Sequence, residues 1–240
     1  MARIMLVHGA FGSAANWERV ATGVRHAGHT VEAIDLPGAG GDRTPLAEVT
    51  LAAYAGKVCE ALAAGAPAVL VGHSMGGIVV TQAAARCPEH VARLVYVAAF
   101  VPAEGQSLMD LAALPEAAGD AVQANMVVDG DPPVATMPAA GARDALFGAC
   151  DNETAAWGIE RLGPQPVLPL TEPVRLGDGF GRLPRSYVAC LRDRAVLPAL
   201  QRRMLAAAGC DPVIELDTDH CPWASRPQEL TAALDRIARM

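Results

Sequence analysis

The chain carries a single lysine, Lys57, among 19 basic residues, set against 26 acidic ones for a formal net charge of −7. No basic stripe interleaved with aromatics runs along it, so the electrostatic footprint of a nucleic-acid binder is missing. The same balance disfavours anionic membrane surfaces, and the apolar runs are too short to span a bilayer. Its six cysteines, at 59, 87, 150, 190, 210 and 221, form no C-x-x-C pair. Cys59, Cys87, Cys150, Cys190 and Cys210 are therefore expected to be small core residues in a reducing cytoplasm. Cys221 stands apart because it follows His220, but no further ligands cluster there to complete a metal site, and no metal or organic cofactor is expected. The spacing of "HGAFGS" fits neither a dinucleotide fingerprint nor a P-loop, and "PGAGGDR" lies after a later strand. The first strand-like run, "RIMLVHGA", begins at Arg3 and leaves no room for a secretory leader, so a cytoplasmic location is the expectation.

What is present is one long alternation with an interruption. At 240 residues and 52% hydrophobic content, the chain can bury one sizeable core and still carry an insertion. "IMLVHG" precedes a helical pattern from Asn16 to about Ala27, and "TVEAID" precedes another near Thr50 to Ala64. "AVLVGH", a further helix and "RLVYVAAF" follow. Such alternation predicts an α/β fold, a mostly parallel sheet with helices on both faces and right-handed crossovers. At about Val101 the rhythm breaks into a segment rich in proline and glycine, with a hairpin signal at Asp129-Gly130 inside "MVVDGDPPVATM". It resumes at "RSYVACL". Residues 1–100 and 184–240 read as the core, and residues 101–183 as an inserted cap over the carboxyl ends of the strands.

The sharpest motif is "VLVGHSMGG", residues 69–77, where a strand covered on both faces stops at Ser74 and a helix follows at once. Gly72 and Gly76 complete G-x-S-x-G, the layout of a nucleophile elbow, whose strained turn needs small neighbours. A serine hydroxyl is a poor nucleophile at neutral pH and needs a base within hydrogen-bond reach. On sheets with this turn the partners follow in the order serine, acid, histidine. Only His90 and His220 follow Ser74; His90 lies in a connection before the next strand, whereas His220 directly follows the last one, in "ELDTDHCPW". Asp193, two residues past "RSYVACL", is the acid best placed to accept the imidazole Nδ1 proton. Asp178, Asp211, Asp217 and Asp219 compete from less suitable positions. Developing charge needs preset N–H donors, for which the Met75 amide and, in the loop after the first strand, the Ala10 amide are the candidates.

These segments resemble the α/β-hydrolase superfamily, and more narrowly its plant-type methylesterase and hydroxynitrile lyase branch with its bacterial esterase relatives. "VHGAFGSAANW", "VGHSMGGIV", "AAFVPAEGQS", "SYVACLRDRAVLPALQRRM" and "DTDHCPWASRPQEL" carry the likeness. The resemblance implies Ser74, Asp193 and His220 as triad and Ala10 and Met75 as oxyanion donors. It also matches residues 101–183 to the family's small cap. Lyases of the branch have threonine after the first-loop histidine and lysine after the catalytic one; here those positions hold Gly9 and Cys221. Without a cation, a departing cyanide would have no partner, so ester hydrolysis is favoured. A thioesterase, a lactone-forming enzyme and a ligand receptor on the same fold remain alternatives. Phe11, Leu108, Met126, Phe147, Trp157 and Cys221 are the candidate lining of an apolar substrate pocket, with a small ester as the partner; a homodimer is an open option.

Overall fold

The computed structural model describes all 240 residues. Six strands form the central sheet: β1 (Arg3–Val7), β2 (Thr30–Ile34), β3 (Ala68–His73) and β4 (Val91–Val97) from the first part of the chain, and two more near its end. Between β4 and that pair lies a separate antiparallel sheet of β5 (Val127–Asp129), β6 (Val134–Thr136) and β7 (Gln165–Pro166). The central sheet is completed by β8 (Arg185–Cys190) and β9 (Val213–Leu216). Its order is β2-β1-β3-β4-β8-β9 and every pairing is parallel, so the expected mostly parallel sheet is wholly so. β3 lies in the middle and is buried at all six residues, which is why its sequence runs apolar without alternation.

Both faces are covered. The helices of the first hundred residues are α1 (Glu18–His26), α2 (Leu51–Ala63) and α3 (Gly76–Arg86). A short 3-10 turn over Ala14–Trp17 precedes α1, so the helical pattern expected from Asn16 starts as a tighter turn. Thr50 caps α2 by accepting from the Ala53 amide at 3.0 Å, a contact of about 1 kcal/mol. The segment between β4 and β8 supplies α4 (Leu108–Ala112), α5 (Ala121–Asn125), α6 (Ala139–Ala145), α7 (Asn152–Ile159) and α8 (Leu168–Thr171). After β8 come α9 (Pro198–Ala208), α10 (Pro222–Ser225) and α11 (Pro227–Ala238). Ile78, Val80, Leu62, Leu200 and Met204 of α2, α3 and α9 pack on one face of the sheet. Val20, Val24, Leu230, Leu234 and Ile237 of α1 and α11 pack on the other.

Two cysteine expectations are corrected. Cys59 of α2 and Cys87 at the end of α3 are bridged as a disulfide, with Cα atoms 6.1 Å apart, rather than sitting as separate thiols. The two helices pack directly on each other, and that proximity is not visible in a spacing of 28 residues. Cys150 and Cys190 are free and buried, while Cys210 is free and only half-buried. No helix is long and apolar enough to cross a membrane.

Candidate active site

The site is built on the carboxyl ends of β1, β3, β8 and β9. Ser74 follows β3 directly and has φ 54°, in the left-handed region that a side chain adopts only under constraint. The constraint is close packing. A Cβ on Gly72 would lie 2.5 Å from the Gly76 carbonyl oxygen, and one on Gly76 would lie 2.8 Å from that of His8. The serine amide donates to Val97 O at 3.2 Å and its carbonyl accepts from Gly77 and Phe100. The turn is thus held from both adjoining strands, and Ser74 stays half-exposed at its apex.

Across the cavity, His220 Nδ1 lies 2.9 Å from Asp193 Oδ2, both side chains almost fully buried. The other Asp193 oxygen accepts from the Ala195 and Val196 amides at 2.8 and 2.9 Å. Gln201 of α9 donates to Asp193 Oδ2 at 3.3 Å and also clamps Cys190 and Val196 by their carbonyls. With its oxygens engaged by donors, the carboxylate can only accept from His220, which places the imidazole proton on Nδ1 and leaves Nε2 bare. Burial pushes His220 toward the neutral form, but Asp193, by charge and by hydrogen bond, then Asp219 and Asp120, outweigh it and raise its pKa above the usual histidine value. The competing acids are committed elsewhere. Asp217 pairs with Arg192 at 2.9 Å, and Asp219 accepts from the Ala149 amide and from Ser225.

Two further histidines, not singled out from the sequence as site residues, frame this pair. His73 donates from Nε2 to the His220 carbonyl at 2.8 Å, fixing the loop that carries His220. Burial first, then the neighbouring His220, holds its pKa well below the usual value, so it stays neutral. His8 accepts the Leu36 amide at Nε2 and donates from Nδ1 to Gly9 O at 2.8 Å. Burial lowers its pKa too, consistent with that single tautomer. Both were detectable only as histidines flanking glycine motifs; their roles depend on partners distant in sequence.

The Ala10 and Met75 amides donate to no acceptor in the chain, and both residues line the same small cavity as Ser74. That cavity, of about 60 Å³, is mostly apolar, with Phe100, Leu108, Met109, Met126 and Leu170 in its wall beside the polar residues Asp120 and Gln123. A second cavity, of about 40 Å³, opens on the other side of Ser74 against His220, Cys221, Trp17, Leu146 and Trp223. Phe11, at φ 63°, borders both. Leu108, Met126, Phe11 and Cys221 line one or both of these cavities. Phe147 and Trp157 do not: each packs against Trp223, Phe147 fully buried and Trp157 between the guanidiniums of Arg19 and Arg161. They are packing residues behind the wall. A groove of about 500 Å³ lies apart from the site, against α9.

The intervening segment is tied to each of the three loops. Gly163 donates to Phe11 O, Ala121 to Arg194 O and Ala149 to Asp219 Oδ2, all at 2.8 Å.

A family model described as "Alpha/beta hydrolase family" matches residues 4–234. Methylesterase 7 of Arabidopsis thaliana is 33% identical, the alignment covering 98% of this chain and 96% of that protein. The crystal structure of a pyrethroid hydrolase from Sphingobium faniae JZ-2 superposes with a TM-score of 0.88 at 25% identity, over 99% of this chain and 97% of that one. Polyneuridine aldehyde esterase superposes equally, with a TM-score of 0.88, at 24% identity over 99% of both chains. Against two longer chloroplastic relatives from Arabidopsis thaliana, the chain spans only 56% and 64% of their length.

Proposed function

Since the chain belongs to the alpha/beta hydrolase family, in its methylesterase-like branch, we propose that it is a serine hydrolase of small carboxylic esters. Ser74 is the nucleophile, His220 the base and Asp193 the group that orients and balances it. The observation that carries this reading is the buried Asp193–His220 pair at 2.9 Å, whose histidine lines the same cavity as a serine held at φ 54°.

The bare Nε2 of His220 takes the Ser74 proton as Oγ attacks the ester carbonyl. The tetrahedral oxyanion then draws on the Ala10 and Met75 amides, which have no competing acceptor. One such donor is worth about 3 kcal/mol of barrier. The imidazolium gives its proton to the departing alkoxide, and the C–O bond breaks. Water repeats the sequence on the acyl-enzyme and regenerates free serine. Leaving-group oxygen must lie beside His220, so the cavity lined by His220 takes the alcohol and the one lined by Met75 takes the acyl group. The acyl side is apolar, which favours apolar acids.

Cyanohydrin cleavage is disfavoured on two counts. A Cβ on Gly9 would lie 2.8 Å from that of Ser74, so threonine would not fit there without moving the elbow. Cys221 is fully buried, and burial raises its thiol well above the usual value, keeping it neutral. Thioester and lactone chemistry would use the same groups. Hydrolysis of a chain-length series of nitrophenyl esters and of aromatic methyl esters, with Ser74→Ala as blank, tests the reading. Turnover lost in the variant supports it; absence of turnover by the folded wild type on every ester refutes it.

A further inference from the structure

Two residues that line the cavity on the His220 side carry polar groups that the ester mechanism does not use. Asn16 and Trp17 line it, 2% and 0% exposed, and Asn16 Nδ2 and Trp17 Nε1 are buried donors without a partner in the chain. Orientation of the Asn16 amide follows from its other end, because Oδ1 accepts the Ser13 amide at 2.6 Å. The NH2 group is thereby turned away from that bond, with no other chain acceptor to meet it. Trp17 is fixed as well, its ring set edge-on to His73 with centroids 6.2 Å apart. Buried donors left unmet are costly, so proteins rarely retain them without a role. Trp223 apart, whose indole is not among the buried unpartnered donors, every other wall residue of this cavity is either apolar, a glycine or part of the machinery described above.

We propose that Asn16 and Trp17 form a subsite for a second oxygen acceptor of the substrate. Because the cavity is the one that takes the alcohol, the substrate class is an ester whose alcohol part bears an ether or carbonyl oxygen beyond the scissile bond. This rests on the esterase reading above. Both donors are neutral, and neither a lysine nor an arginine lines the cavity, so the recognised oxygen is uncharged rather than a carboxylate. Selection follows from desolvation: an oxygen that loses water on entry regains hydrogen bonds, whereas a methylene in its place leaves both donors unmet.

The test compares butyrate esters of matched length, 2-methoxyethyl against butyl and 3-methoxypropyl against pentyl, in the wild type, Trp17→Phe and Asn16→Asp. The wild type is expected to favour one oxygen-bearing ester by about tenfold or more in kcat/KM, the size of one buried hydrogen bond. Trp17→Phe keeps the ring and removes the donor; Asn16→Asp keeps the acceptor for Ser13 and replaces the donor by an oxygen. Each should lower that ratio severalfold, and a merely structural role would lower both esters alike. The wild-type ratio stands even if one variant fails to fold. Ratios of one or less at both oxygen positions, with all esters turned over, overturn the subsite and leave the esterase reading intact. No turnover of any ester by the folded wild type overturns both.

Discussion

Replacing Asp193 by Asn reverses the polarity of one atom at the centre of the site. Oδ1 must still accept the Ala195 and Val196 amides at 2.8 and 2.9 Å, so the amide oxygen takes that place and the NH2 faces His220. There it meets two donors, Gln201 Nε2 at 3.3 Å and the imidazole Nδ1 at 2.9 Å. The imidazole can relieve its clash only by moving its proton to Nε2, the nitrogen that has to accept from Ser74. Base function is then lost while the shape is preserved. Tautomer loss of this kind costs about 10⁴ in kcat, or about 5.4 kcal/mol of barrier at 1.36 kcal/mol per decade. The donor–donor contact with Gln201 removes a further ~1–3 kcal/mol of stability. Steady-state hydrolysis of nitrophenyl butyrate gives kcat, and urea denaturation gives the stability. A folded Asp193→Asn enzyme within tenfold of the wild-type kcat would mean that Asp193 does not set the His220 tautomer for turnover.

Further expectations follow from the same geometry. The activity of the wild type should fall as pH drops through the His220 pKa, which lies above the ordinary value near 6.5. The base works only when neutral, so kcat/KM rises with pH and levels off above that raised pKa; a pH–rate profile flat through the neutral range would contradict it. Gly9→Ala puts a Cβ 2.8 Å from the Ser74 Cβ and 3.1 Å from the His73 carbonyl. Displacing the nucleophile by a fraction of an ångström should lower kcat about 10²-fold, measured with the same ester. The Cys59–Cys87 bridge closes a loop of 28 residues; its reduction, or Cys59→Ser, should lower stability by about 3–4 kcal/mol. Alkylation of the denatured, unreduced chain should label four cysteines rather than six.

Much of the core was legible in the sequence because its constraints are local. Val69–Val71 had to be a central strand, since no polar residue alternates with them, and Gly72 and Gly76 had to be small because backbone passes within 3 Å. The chain order serine, aspartate, histidine is that of the hydrolases the sequence resembles, and the structure brings Asp193 to His220. The segment after Val97 was harder. Its helices are mostly four to eight residues long, too short for periodicity to tell an inward face from an outward one. Leu108 and Met126 therefore line a cavity while Phe147 and Trp157, equally apolar, pack behind Trp223. β7 pairs with β6 through only two residues and gave no strand signal. Gln201, His73 and the Cys59–Cys87 bridge depend on which elements touch, and composition carries no record of that. Asn16 and Trp17 were legible only as part of a helical start; that their donors lack partners is a property of the assembled loop.

The most direct test of the central claim is to find the residue that becomes covalently attached. A fluorophosphonate probe, which reacts with activated serine hydroxyls, is applied to the folded wild type and to Ser74→Ala, and the labelled peptide is mapped by mass spectrometry alongside ester turnover. A label on Ser74 alone is expected, absent from the variant together with its turnover. A label on another residue, or turnover that persists in Ser74→Ala, would contradict it.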